Sequence, residues 1–301
     1  MRFVIAVFVA GATVAGIMSV PARAQNAASS WSADLVDVRA AAALIPGRRP
    51  QRINMLKFAE SRRTKNFSVK GVPADPSVQA RTAFQVMYAD GSVMVDAGMD
   101  QQVHRFFGRG VDEPYDSDAA ARVDAALLRA RLIVVTHEHG DHVAGVIHTP
   151  RANELAPKTI LTRSQLQTLL TAPQMPEIRL TQEMAARYLM VDYDRYYPLA
   201  PGIVLIKAAG HTPGSQMVYI ALESGGEYLL IGDAAWHMDG VQLVKGKDAP
   251  WITEDQNAVM DQLRWLNGLT RTDPRLVIIA SHDDEQHALL IRAGKLGARF
   301  E

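Results

Sequence analysis

The chain contains no cysteine in its 301 residues, and this absence excludes several kinds of chemistry. Without thiols it forms no disulfides, carries no lipid-modified cysteine and offers no thiolate to a metal ion. Any metal site must therefore use histidine and carboxylate side chains. Stability must come from a buried core, for which the 48% of hydrophobic residues are sufficient.

An excess of charge of one sign is also missing, since 32 Lys and Arg residues balance 32 Asp and Glu residues. No long basic block is present, so nucleic acid is not a predicted partner. Ser215 follows Gly214 but lacks the Gly-x-Ser-x-Gly elbow of a serine nucleophile, and there is no phosphate-binding P-loop. These observations favour a small-molecule substrate and do not indicate an oligomeric state.

The N-terminal residues have the pattern of an export signal. Arg2 precedes an apolar run from Phe3 to Val20, Pro21 ends the run, and Ala22-Arg23-Ala24 resembles a cleavage site. We predict that residues 1–24 are a signal peptide, which makes the mature protein periplasmic or secreted, with no stable membrane insertion after cleavage. A membrane anchor is the alternative, because the run is just long enough to span a bilayer.

The rest of the chain is predicted to form one α/β domain over residues 51–301, preceded by a partly mobile, Ala-rich and Ser-rich arm at 25–50. An apolar run predicts a short strand around Ile53–Phe58, and the polar residues between Ser61 and Ser77 predict a loop. Asp90-Gly91 between two apolar runs predicts a β-hairpin at 83–96. Apolar periodicity predicts further strands at 131–135, 159–161, 203–207, 217–222, 228–231 and 276–280, and helices at 117–130, 163–171, 181–189, 254–269 and 285–293. The mixture predicts two sheets packed inside helical layers.

The segment Thr136–His142, Thr-His-Glu-His-Gly-Asp-His, directly follows one of these strands and holds four potential metal ligands. Side chains two apart in an extended segment point the same way, so His137 and His139 can converge on one ion. Gly140 permits a sharp turn, after which Asp141 and His142 can face a second ion. This pattern predicts a binuclear metal centre.

Further ligands are expected at His211, Asp233 and His282, each of which follows a predicted strand. A lone histidine at a strand end is more often a hydrogen-bonded structural residue, which is our interpretation of His148 and His287. Histidine and carboxylate donors suit two Zn²⁺ ions, and they also suit Fe or Mn.

This ordered set of motifs resembles the metallo-β-lactamase superfamily, whose fold is a four-layer αββα sandwich with a His-x-His-x-Asp-His loop. The resemblance runs from about Phe84 to His282 and includes the turn at Asp96-Ala97-Gly98 and the segment 210–215. It implies that Asp96 hydrogen-bonds a ligand histidine; the alternative is a turn residue that caps the hairpin. It also implies a ligand set of His137, His139 and His211 for the first ion, Asp141, His142 and His282 for the second, and Asp233 as the bridge.

Asp233 directs the functional prediction. True β-lactamases of the superfamily generally lack this bridging carboxylate, whereas lactonases, glyoxalase II-like thioesterases and organophosphate hydrolases have it. The 22-residue spacing from His211 to Asp233 resembles that of quorum-quenching lactonases. Those enzymes usually carry a tyrosine where this chain has Trp236. Trp236 and His237 suggest an aromatic-lined substrate pocket, and core packing is the alternative for Trp236.

The resemblance implies a metal-dependent hydrolase of a small ester, lactone or phosphotriester. Its nucleophile would be a hydroxide that bridges the two ions, with Asp141 transferring the proton. Four alternatives stay open: a β-lactam hydrolase, a glyoxalase II-like thioesterase, an iron-dependent oxidoreductase of the same fold, and a non-catalytic binding protein.

Overall fold

The computed structural model describes residues 31–301, so the predicted signal peptide at 1–24 lies outside the described residues. Two mixed sheets dominate the described part of the chain. The first has the strand order β1-β2-β3-β4-β5-β6 and the second β11-β10-β9-β8-β7. The strands are β1 Arg52–Thr64, β2 Pro76–Tyr88, β3 Gly91–Val95, β4 Leu132–Val134, β5 Thr159–Thr162, β6 Leu189–Val191, β7 Tyr196–Ala200, β8 Ile203–Lys207, β9 Gln216–Ala221, β10 Glu227–Leu230 and β11 Leu276–Ile279.

Helices cover the outer faces of both sheets. They are α1 Leu35–Ala42, α2 Lys65–Ser68, α3 Gln101–Gly108, α4 Ser117–Arg129, α5 Gly140–Ile147, α6 Ala152–Leu155, α7 Arg163–Thr171, α8 Gln182–Ala185, α9 Met238–Leu243, α10 Gln256–Thr272 and α11 Asp284–Arg292. Among residues 31–301, no helix has the length and apolar character needed to cross a bilayer.

Three hydrophobic cores separate four layers. Because successive side chains of a strand point to opposite faces, β8 sends Ile203 and Leu205 into the core between the sheets and Val204 and Ile206 into the core under the second helical layer. The first sheet behaves likewise, with Ile133 of β4 facing helices α4 and α5. This arrangement confirms the predicted αββα sandwich.

The hairpin around Asp90-Gly91 is confirmed, with Tyr88 paired to Gly91 and Phe84 to Val95. Strand β1 runs further than predicted, since its partner β2 continues the antiparallel ladder as far as Thr64 opposite Pro76. This extension occupies part of a segment whose polar composition suggested a loop. Pairing with a neighbouring strand outweighed that local composition.

The segment 25–50, which we predicted to be a partly mobile arm, contains one packed helix. Residues Leu35–Ala42 form helix α1, which begins at Asp34, whose side chain accepts a hydrogen bond from the Val36 amide. Leu35, Val38 and Ala42 are buried in the same core as α10 and the second sheet. The alanines that suggested an arm let the helix pack closely on the strands.

Candidate metal centre

The His137–His142 loop connects β4 to helix α5 and lies at the end of the first sheet. Strand β4 ends at Val134, and α5 begins at Gly140 with His139 in extended conformation before it. A Cβ atom on Gly140 would lie 2.9 Å from Cε of Met175, so glycine also allows a close approach at this turn. All of α5 is buried, which fixes Asp141 and His142 on a rigid element.

The structure brings together all seven side chains predicted as ligands. They form two groups, and within each group the ligand atoms lie within 4.8 Å of one another. The first group contains His137, His139, His211 and Asp233, and the second contains Asp141, His142 and His282.

Asp233 lies between the two groups and presents one carboxylate oxygen to each. Oδ2 is 3.3 Å from Nε2 of His211 and 3.6 Å from Nε2 of His137. Oδ1 is 3.2 Å from Nε2 of His282 and 3.4 Å from Nε2 of His142. Asp233 is placed by the turn that follows β10, where Gly232 has a φ of +51°.

Three of the histidines have their outward ring nitrogen engaged by an oxygen. Nδ1 of His142 is 2.8 Å from Asp96 Oδ2, Nδ1 of His211 is 3.0 Å from Glu254 Oε2, and Nδ1 of His282 is 2.7 Å from the Ala80 carbonyl oxygen. Partners of this kind hold the Nδ1–H tautomer and leave Nε2 as a lone-pair donor toward the cluster.

The contact that the resemblance implies for Asp96 is therefore present. Asp96 also accepts hydrogen bonds from the backbone amide and the hydroxyl of Thr136. It adopts a φ of +62°, a conformation that costs a non-glycine residue free energy and that the surrounding contacts must maintain.

The donor atoms fit a metal centre better than they fit a self-contained hydrogen-bond network. Nε2 of His137 and Nε2 of His142 are buried and have no hydrogen-bond partner among the described residues. Burial, reinforced by neighbouring imidazoles, holds the pKa of His137 well below its ordinary value and lowers the pKa of His139 to about 3. Burial also lowers the pKa of His142 and of His211, but the carboxylates around these two rings outweigh it and raise both pKa values. A metal ion requires neutral imidazoles, so it would take the place of a proton on these two rings.

Three buried charged residues next to the centre were missed by the sequence analysis. Arg81 of β2 donates from Nη1 to Oδ2 of Asp141. Lys247 donates to the backbone oxygen of Asp233 at 2.6 Å and lies 3.0 Å from Glu254, the carboxylate that contacts His211. Arg81 lies among polar residues of β2, before the predicted hairpin at 83–96, and Lys247 and Glu254 also lie in polar segments typical of the surface.

Trp236 and His237 separate in the structure. Trp236 lies on the wall of a cavity beside the centre, and its Nε1–H donates to Asp233 Oδ2 at 2.6 Å. His237 does not line this cavity. Its Nδ1 instead accepts a hydrogen bond from the Asp239 amide at the start of α9, and its ring is not among the cavity walls.

The cavity has a volume of about 280 Å³ and opens onto both groups of ligands. His139, Asp141, His211 and Asp233 form its base. Phe106 and Phe107 of α3 and Trp251 supply aromatic walls. Arg109, at the end of α3, lies over the Trp251 ring at 4.6 Å. The dimensions suit a small organic substrate whose reacting group meets the ligand cluster.

Comparisons with known proteins agree with this geometry. The family model described as "Metallo-beta-lactamase superfamily" matches residues 82–157. N-acyl homoserine lactonase AiiA of Bacillus thuringiensis subsp. kurstaki is 23% identical over 157 residues, which are 51% of this chain and 56% of the relative. The chain thus spans about half the length of the curated relatives that it matches.

Solved structures show the same fold over more of the chain. An N-acyl homoserine lactone hydrolase with N-hexanoyl-L-homoserine at its catalytic metal centre has a TM-score of 0.62 and 17% identity, with 80% of this chain and 96% of that chain covered. AidC, a dizinc quorum-quenching lactonase, has a TM-score of 0.56 and 15% identity, with 78% and 89% covered. At these identities the likeness is one of fold.

Proposed function

We propose that this chain is a member of the metallo-β-lactamase superfamily and that it is a binuclear metal-dependent hydrolase that opens a lactone or cleaves a related small ester. The similarity to N-acyl homoserine lactonases in sequence and in fold supports this choice of substrate class. A phosphotriester is the other substrate that the ligand set could accommodate.

The position of Asp233 carries the proposal. One carboxylate oxygen faces His137 and His211 and the other faces His142 and His282, which is the arrangement required of a residue shared by two metal ions. Histidine and carboxylate donors without thiolate favour Zn²⁺, and AidC is described as a dizinc enzyme. We assign the first ion to His137, His139 and His211, the second to Asp141, His142 and His282, and the bridge to Asp233.

When bound, the ions would act as Lewis acids on the scissile carbonyl and lower the pKa of water. The chain's own residues orient this chemistry. Asp96 and Glu254 fix the rings of His142 and His211. Phe107 and Trp236 line the cavity above the centre and exclude bulk water from one side of it.

Asp141 is the residue placed to move a proton. It lines the cavity, and its hydrogen bond from Arg81 uses Oδ2, so that Oδ1 accepts none from residues 31–301. Burial raises the pKa of Asp141, but the charges of Arg81, His142 and His282 outweigh it and hold the pKa below its ordinary value. A carboxylate that stays ionised at neutral pH can accept the proton of the attacking water and deliver it to the leaving oxygen.

Trp236 contributes differently from a tyrosine at this position. Its only hydrogen-bond donor already serves Asp233, so it orients the bridging carboxylate and presents an apolar ring to the substrate. We therefore propose that the substrate carbonyl obtains no hydrogen bond from this position.

The proposal is tested by metal analysis followed by a hydrolysis panel with matched concentrations. The panel contains an N-acyl homoserine lactone, a simple γ-lactone, a 4-nitrophenyl ester, a phosphotriester, a thioester and a chromogenic cephalosporin. We expect lactone or ester turnover that a chelator abolishes and Zn²⁺ restores. Turnover of the cephalosporin or thioester alone, or iron content with oxygen consumption, would contradict the proposed substrate class.

The role of Asp141 is tested by Asp141→Asn, with exposed Asp192→Asn as the matched control. We expect the first variant to lose at least about 100-fold in kcat, in the range typical of a missing proton-transfer group, and the second to retain normal turnover. Normal turnover by Asp141→Asn with metal still bound would rule out proton transfer by this residue.

A further inference from the structure

The two halves of the metal centre have opposite electrostatic surroundings. The first half is backed by a carboxylate, because Glu254 contacts Nδ1 of His211, and Glu254 in turn neutralises Lys247 at 3.0 Å. The second half faces Arg81, whose guanidinium has no carboxylate partner among residues 31–301 other than the ligand Asp141 itself.

The backbone forces Arg81 into this position. The Ala80 amide donates to the His282 carbonyl oxygen at 3.1 Å, and the Ala80 carbonyl oxygen contacts Nδ1 of His282 at 2.7 Å. This pairing of β2 with the loop after β11 places the next residue, Arg81, directly against the second group of ligands. Its Nη1 is 3.4 Å from Nε2 of His282.

The guanidinium is held there by contacts on its other sides. Its Nη2 donates to Ser61 Oγ at 3.1 Å, and its carbon lies 4.9 Å from the centroid of the Phe107 ring. The side chain is only 6% exposed, and its Nε has no hydrogen-bond partner among the described residues. Arg81 also lines the cavity, and we expect these contacts to keep its charge beside the ligands when another cation arrives nearby.

Arg81 and the second metal ion compete for one atom. Oδ2 of Asp141 accepts the hydrogen bond from Arg81 Nη1, and the same oxygen is 3.5 Å from Nε2 of His282 and 3.6 Å from Nε2 of His142. The guanidinium thus reduces the negative charge available on the only carboxylate that belongs to the second group alone. Repulsion between two cations in a site shielded from water adds to the effect.

From this geometry we infer that Arg81 makes the second metal site much weaker than the first, so that the protein exchanges its second ion while it retains the first. The inference rests on the proposed binuclear centre and names the residue that makes its halves unequal. Activity would consequently depend on the supply of free metal ion at concentrations that already saturate the first site.

The experiment is a Zn²⁺ titration of chelator-treated full-length protein, followed by isothermal calorimetry and by competition with a chromophoric chelator. For the unaltered protein we expect two equivalents whose Kd values differ at least 100-fold. Two equivalents of equal affinity would overturn the inference and leave the proposed function intact. Failure to bind any Zn²⁺ would overturn the proposed function itself.

Two variants identify Arg81 as the cause. Arg81→Met keeps most of the length and the packing against Phe107 but removes the charge. It should lower the Kd of the weaker Zn²⁺ equivalent at least tenfold and change the Kd of the tighter equivalent less than twofold. Arg81→Lys keeps the charge and should leave the weaker equivalent weak. A weaker equivalent that is unchanged or weakened further in Arg81→Met refutes the inference, since Arg81 would then support Asp141 rather than compete for it. Should Arg81→Met not fold, Arg81→Gln, which also removes the charge, takes its place in the same titration, with the same expected and refuting results.

Discussion

Replacement of Glu254 by glutamine should weaken both the fold and the first metal site, because this carboxylate joins two buried groups that need it. Its Oε2 lies 3.0 Å from Lys247 Nζ and 3.0 Å from His211 Nδ1. The side chains of Lys247 and Glu254 are 1% and 0% exposed. Without the carboxylate, an ammonium group remains in the interior with only backbone oxygens of Asp233 and Ala234 to neutralise it.

The expected magnitude follows from the cost of an uncompensated buried charge. Removing one member of a buried ion pair typically destabilises a protein by about 3–5 kcal/mol. Glutamine keeps the size and one acceptor oxygen, so we expect a loss near the lower limit, about 3 kcal/mol. Loss of the partner of a ligand histidine typically costs about 10–100-fold in metal affinity, and we expect about tenfold for the first Zn²⁺ equivalent.

Urea unfolding of the chelator-treated protein measures the first effect, and Zn²⁺ titration measures the second. The double variant Lys247→Met with Glu254→Gln is the control, since it removes the stranded cation. It should recover most of the lost stability and little of the lost metal affinity. A Glu254→Gln protein within about 0.5 kcal/mol of the unaltered protein, or a double variant no more stable than the single one, would refute the reasoning.

Two further predictions concern the scaffold. Gly145→Ala should destabilise the protein by about 3 kcal/mol or more, because the new Cβ would lie 2.1 Å from the Ala97 carbonyl oxygen in the turn that carries Asp96. Gly268→Ala in α10 has open space around the new Cβ. It should instead stabilise the protein by about 0.5–1 kcal/mol in the same urea assay. Glu227→Gln should cost about 1 kcal/mol at pH 7, because Glu227 accepts two hydrogen bonds from Arg39. The Arg39 guanidinium holds the pKa of Glu227 below its ordinary value, so this stability is present above the unfolded-state pKa and is lost as the pH falls through the lower folded-state pKa. The difference in unfolding free energy between the unaltered protein and Glu227→Gln should shrink as urea unfolding is repeated from pH 5 downward. A difference independent of pH would contradict the role assigned to the Arg39–Glu227 pair.

The parts of the fold that could be predicted are those that depend on local pattern. The Asp90-Gly91 turn specifies a hairpin within a few residues, and the helix at 117–129 has both a cap at Asp116 and a buried apolar face. The predicted helix at 181–189 instead became the short α8 and the strand β6. Strand β6 pairs with β5 at the edge of the first sheet. This pairing depends on residues about 30 positions earlier in the chain, so local pattern does not predict it.

The meeting of the candidate ligands could be predicted for the same reason, whereas their surroundings could not. His137, His139, Asp141 and His142 are neighbours in sequence, and a strand followed by a glycine turn is sufficient to direct them to one place. Helix α3, which forms one wall of the cavity, lies in a segment with no predicted helix or strand, although Asp100 caps its start. The position of this helix depends on packing against α5, since Val103 of α3 lies in the same core as Val143 of α5.

The buried charges around the centre show why a ligand pattern alone underdetermines a metal enzyme. Arg81, Lys247 and Glu254 come from three separate segments and meet only in the folded chain. Lys247 is neutralised by Glu254, which also contacts the candidate ligand His211. Arg81 is neutralised by the candidate ligand Asp141 itself. On the inference drawn above, this difference gives two sites built from nearly the same donors different affinities, so the property that distinguishes them resides in residues that touch the candidate ligands and not in the ligands themselves.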